Sequence, residues 1–105
     1  MDINESVSEI HATAVEKGWW DGKRQKLALH MLMVTEVGEA SQCVRKGDPL
    51  DGADGKPEGE AAELADVVLR VMDYFGHEGW DLAAMLRRKM DYNKTRTARH
   101  DAETA

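Results

Sequence analysis

Between Lys23 and Lys46 the chain has an apolar helical face carrying two carboxylates that it cannot bury alone. At about 100° per residue around a helix, Leu29, Leu32, Met33, Ala40, Cys43 and Val44 fall on the same broad face as Glu36 and Glu39. Taking an unpaired carboxylate out of water costs several kcal/mol in practice, so the fold must supply a cation, a proton or a basic side chain. A second pair, Glu63 and Asp66, has the same i, i+3 spacing, which sets both acids on one side of a helix. These two share a polar stripe with Arg70, Asp73 and His77, and a solvated helix face would account for that stripe equally well. Two such pairs facing each other would form a site for hard divalent cations, with Glu36, Glu39, Glu63 and Asp66 as the ligands.

The rest of the chain is patterned for helices. Ile3, Val7, Ile10, Ala14 and Val15 recur at helical intervals up to Lys17, and Gly18 follows as a stop. The long second helix, about 23–46, ends at Gly47 with Arg45 and Lys46 at its negative dipole end. The stretch GDPLDGADGKP, about 47–57, is rich in Gly, Pro and Asp and has no periodicity, which predicts a flexible loop. Its Asp48, Asp51 and Asp54 lack the alternation and closing Glu of a calcium loop. A third helix, about 58–77, carries Leu64, Val67, Val68, Val71, Met72 and Phe75, with Glu60 in its first turn; Gly76 and Gly79 are expected to bracket a tight turn that Trp80 closes. A fourth helix, about 81–94, packs Leu82, Met85 or Leu86, and Met90, and the tail from about 97 to 105 reads as frayed. No useful period-2 run occurs, so the expected fold is an all-α, four-helix bundle in a single domain, 1–105. A second apolar strip on the long helix, Leu27, Met31 and Val34 beside Gly38, either meets another subunit or lies under the first helix.

Charge narrows the partners. Fourteen Lys+Arg against 20 Asp+Glu give a net charge of −6 with no basic block, which argues against sequence-independent binding of nucleic acid. An anionic ligand would therefore need metal ions. No apolar run is long enough to span a membrane and MDINESVSEI is too polar for a secretory signal, so a cytoplasmic protein is expected. The single Cys43 rules out an internal disulfide and reads as a small packed residue.

The order Glu36-x-x-Glu39, a helix end and loop, Glu63-x-x-Asp66 within ELADVV, and then KMDYNKTR with Lys89 and Asn93 resembles the MazG-like nucleoside triphosphate pyrophosphohydrolases, from about 19 to 100. The resemblance implies an all-α fold of that family's type, assembly into homodimers or homotetramers, and Mg²⁺-dependent cleavage of (deoxy)nucleoside triphosphates to monophosphate and pyrophosphate, a nucleotide-pool housecleaning activity. Mn²⁺ is the expected substitute ion. A triphosphate and four ionised carboxylates together bring about eight negative charges, so two or three ions are expected with substrate bound.

The expected reaction is in-line attack of a metal-activated water on the α-phosphorus, with Glu36 or Glu39 accepting the proton because a partly buried acid can be tuned toward neutral pKa. Lys89, Asn93 and Arg96 fall at i, i+4 and i+7, where they could hold phosphate or sugar, although a solvated basic turn would show the same spacing. Trp19 and Trp20 offer indoles for stacking on a base or for packing. The histidines His11, His30, His77 and His100 have no mutual metal spacing, and Ser8, Leu27, Tyr74 and Thr97 stand where a carboxylate-bridged di-iron site would need Glu three residues earlier. The remaining alternative is a non-catalytic helical interaction module or nucleotide sensor that keeps the fold.

Overall fold

The computed structural model describes residues 2–50 and 52–97; Asp51, His100 and most of the tail expected to fray lie outside the described residues. Among the described residues the elements are four α-helices and one short 3₁₀ turn: α1 Ile3–Glu16, α2 Lys26–Lys46, the 3₁₀ turn Ala53–Gly55, α3 Glu60–Glu78 and α4 Leu82–Thr95. Among the described residues no β-strand forms, and the fold is all-α.

Each helix ends for a local reason. The Asp2 carboxylate caps α1 by accepting from the Glu5 N–H at 3.0 Å. α2 and α3 both stop at left-handed glycines, Gly47 (φ 69°) and Gly79 (φ 72°), and in each case the next N–H turns back into the helix end, Asp48 N to Cys43 O at 3.0 Å and Trp80 N to Phe75 O at 3.1 Å. α2 begins at Lys26 rather than near Lys23, because Gly22 is left-handed and Gln25 is extended with no side-chain cap to start the helix earlier. The expected turn at Gly76 is not formed: Gly76 lies inside α3. Its role is close packing, since a Cβ there would stand 2.5 Å from the His11 Cβ on α1.

α3 is the central element, with α2 on one flank and α1 on another, while α4 packs against α1. The α4 junction is made by Asn4 of α1, which donates to the Asp81 carboxylate at 2.9 Å and accepts from the Ala83 N–H at 3.1 Å. Asp81 also accepts from the Ala84 N–H at 2.9 Å, and these donors hold its carboxyl below the usual value. Lys26 and Glu78 tie the start of α2 to the end of α3 at 3.0 Å.

The chain buries little. Among the described residues the buried apolar ones are Val7, Ala14, Leu29, Ala40, Tyr74 and Leu82, and no large side chain is sealed completely. The strip on α2 is not covered by α1: Leu27, Met31 and Val34 are 77%, 60% and 56% exposed. The exposed surface totals 8143 Å², against roughly 5,900 Å² for a monomer of this mass. No described helix is long and apolar enough to cross a membrane.

Candidate metal centre and adjoining cavity

The packing of α2 on α3 brings Glu63 of the second acid pair to the first pair. Carboxylate oxygens of Glu36, Glu39 and Glu63 lie within 4.8 Å of one another. Glu36 and Glu39 come from consecutive turns of α2, and Glu63 comes from the first turn of α3, where a negative charge also suits the helix dipole. Asp66, one turn later, is outside this trio but lines an adjoining cavity that Glu36 also lines.

The three acids have different environments. Glu36 is buried, Glu63 is half-buried and Glu39 is exposed, so only one of the two acids expected on the apolar face is enclosed there. Burial pushes the Glu36 carboxyl up, but Arg70, donating from Nε to Oε1 at 2.8 Å, outweighs it and holds the group below the usual carboxylate value. The expectation that burial tunes Glu36 toward neutrality is therefore reversed. The acid pushed up to about 7 is Glu63, through its hydrogen bond with Glu39, its burial, and the charges of Glu39 and Asp66.

The donor set is all oxygen and suits a hard cation. Ligands on opposite sides of Mg²⁺ are about 4.2 Å apart, and those around Ca²⁺ up to about 5 Å, so a small adjustment would close the trio on an ion. Arg70 supplies one positive charge to three carboxylates. It pairs with Glu36 and with neither Glu39 nor Glu63.

The cavity is about 710 Å³ and runs between α1, the α1–α2 connection, α2 and α3. Its apolar wall is Ile10, Leu32, Leu69 and the Trp19 indole, and its cations are Arg24 and Arg70. The two tryptophans have separate situations. Trp19 is 58% exposed and lines the cavity. Trp20 is committed to packing: its Nε1 donates to both Asp73 oxygens at 2.9 and 3.0 Å, and its ring stacks on His77 with centroids 3.9 Å apart. His11 Nδ1 meets the same Asp73 carboxylate at 2.7 Å.

Lys89, Asn93 and Arg96 do not line the cavity. All three are exposed at the end of α4, with Lys89 Nζ and the Arg96 guanidinium each 5.9 Å from the Tyr92 ring. The cations that do reach the cavity are ones the sequence argument left without a role. Arg70 could have been found, because it stands at i+4 from Asp66 and i+7 from Glu63 on the same helical stripe. Arg24 had no such signal; Nη1 donates to the Trp19 carbonyl at 2.9 Å, a loop contact that periodicity does not encode. His30 lies against Tyr74, and Cys43 is half-buried with its thiol pushed up by burial and by Asp48, so neither carries chemistry here. Comparison of the chain with family models, with curated proteins and with solved structures returns no match.

Proposed function

We propose that the chain is a Mg²⁺-dependent nucleoside triphosphate pyrophosphohydrolase of the MazG-like type, acting on (deoxy)nucleoside triphosphates. The observation that carries the reading is the meeting of Glu36, Glu39 and Glu63 within 4.8 Å, from two different helices, in the motif order that characterises that family. The adjoining cavity of about 710 Å³ is large enough for a nucleotide and shares Glu36 with the cluster.

Glu36, Glu39, Glu63 and Asp66 are the residues that would hold Mg²⁺. When bound, the ion supplies charge neutralisation for the phosphates and a nucleophilic water at neutral pH. The protein's own share is positional and electrostatic. Arg70 keeps Glu36 ionised in a buried setting, so that no proton has to leave before it can act as a ligand. Arg70 already engages Glu36, which leaves Glu39, the exposed acid of the trio, as the better-placed acceptor for the proton of the attacking water. Trp19 at the cavity wall is the indole free to stack on a base.

Assembly into a homo-oligomer belongs to the same proposal. The uncovered strip of Leu27, Met31 and Val34 favours a second copy on α2. In a single copy Lys89, Asn93 and Arg96 stand apart from the cavity wall, so a phosphate role for them requires a neighbouring copy to bring them there.

One observation favours a second reading, a non-catalytic helical module. The Arg70–Glu36 pair and a Glu63 carboxyl raised to about 7 by its hydrogen bond with Glu39 and by burial together reduce the charge of the cluster without an ion. A pyrophosphate-release assay over normal and damaged deoxynucleoside triphosphates, with Mg²⁺ and with chelator, separates the two: the enzyme reading expects Mg²⁺-dependent release, and no release from any nucleotide leaves the module reading.

A further inference from the structure

Among the described residues, Arg70 is the one cation joined to the acid cluster. It belongs to α3, one turn beyond Asp66, and crosses to α2 to donate to Glu36. Its side chain is two-fifths exposed and lines the cavity, whereas that of Glu36 is only 10% exposed. A guanidinium on a buried carboxylate does what a cation would do there, since it neutralises the charge and supplies a hydrogen bond.

A divalent ion held by Glu36, Glu39 and Glu63 would have to share Glu36 with this guanidinium. Two positive groups would then stand within a few Å of each other, well inside a Debye length, where salt does not remove their repulsion. Arg70 has a way out. Its long side chain borders an open cavity, and Asp73, one turn further on, is already engaged by His11 and by the Trp20 indole and does not need it.

Resting on the metal-centre reading above, we propose that Arg70 is a resident counter-ion of Glu36 that competes with the divalent cation. In the metal-free protein it is paired with the buried Glu36 carboxylate. When the cation loads, it gives up Glu36 and turns into the cavity, where the guanidinium is available to an anionic group of the ligand. The metal-free state and the loaded state therefore each satisfy the buried acid, and the same arginine serves in both.

The test is Mn²⁺ binding to the metal-free protein, followed by the electron paramagnetic resonance signal of the free ion, in wild type, Arg70→Met and Arg70→Gln. Met removes both charge and donor; Gln removes the charge but leaves an N–H donor for Glu36, so it carries the comparison if Arg70→Met does not fold without metal. Competition predicts that both variants, folded by circular dichroism, bind Mn²⁺ about tenfold more tightly than wild type. Weaker or unchanged Mn²⁺ binding in a folded variant overturns the proposal and makes Arg70 a fixed support of the loaded site. Wild-type protein that binds no Mn²⁺ at millimolar concentration rejects the metal centre itself, and the counter-ion role with it.

Discussion

Replacing Trp19 and Trp20 by alanine, one at a time, should damage the protein in two different ways. Trp20 is half-buried, donates its N–H to Asp73 and stacks on His77, and through these contacts it fastens the α1–α2 connection to α3. Truncation of a fully buried Trp costs about 3–5 kcal/mol, and partial burial lowers that figure, while the lost charge-assisted hydrogen bond adds to it. Trp20→Ala is therefore expected to cost roughly 2–4 kcal/mol, which for a domain of this size lowers Tm by roughly 10–25 °C. Trp19 is mostly exposed, so Trp19→Ala should change stability by no more than about 0.5 kcal/mol. Its effect belongs to the cavity it lines: a lost base platform is worth about 1–3 kcal/mol, which appears as a KM raised roughly 5- to 150-fold across several bases with little change in kcat. Thermal melts by circular dichroism and pyrophosphate-release kinetics on both variants read the two quantities separately. A Trp20→Ala protein with wild-type Tm, or a folded Trp19→Ala protein with wild-type KM for every accepted nucleotide, would refute this division of roles.

Three further outcomes follow from single features of the structure. Glu63 has its carboxyl raised to about 7 from 4.5, and a raised folded-state value favours folding fully below the unfolded pKa and loses that advantage as pH rises through the folded one. Metal-free wild type should thus lose stability relative to Glu63→Gln between about pH 4.5 and 7, and Mg²⁺ should raise the wild-type Tm more at pH 8 than at pH 5; parallel pH profiles for the two proteins would show that the cluster is not strained. In Gly76→Ala the new Cβ would stand 2.5 Å from the His11 Cβ, so α1 must move away from α3 at about 1–3 kcal/mol, and an unchanged melting curve would mean that the helices do not approach so closely. Met31→Glu, in the centre of the exposed α2 strip, should shift the mass measured by light scattering from a multiple of 11.7 kDa toward that value, while a wild-type protein already monomeric at micromolar concentration rejects the oligomer.

The helices were legible because their signals are local. Gly47 and Gly79 stop helices in the left-handed conformation that glycine adopts freely, and the apolar spacing of α1 and α3 needs no tertiary knowledge. The same local reasoning overshot at Lys23, where helix-compatible residues precede Lys26 but no capping side chain starts the helix. Gly76 misled for the opposite reason: a glycine reads as a turn in one dimension, and its use as the contact point of two crossing helices exists only in three. Within the site, Glu36, Glu39 and Glu63 of the four acids singled out by their i, i+3 spacing lie together, and Asp66 stands outside the group. What spacing could not show was the answer to the buried charge. Of the three compensations open for Glu36, the structure supplies the basic side chain, and Arg70 had looked like one member of a solvated stripe. The side-by-side tryptophans were likewise indistinguishable until Asp73 and His77, more than fifty residues away in sequence, were seen to claim Trp20.

The most direct measurement is a ³¹P nuclear magnetic resonance time course of a deoxynucleoside triphosphate with wild-type protein and with Glu63→Gln. The four-carboxylate account predicts that wild type with Mg²⁺ converts the three triphosphate resonances into those of a monophosphate and pyrophosphate, that chelator stops the reaction, and that Glu63→Gln abolishes it while helicity is retained. Orthophosphate and a diphosphate as the products, or wild-type turnover by Glu63→Gln at saturating Mg²⁺, would contradict it.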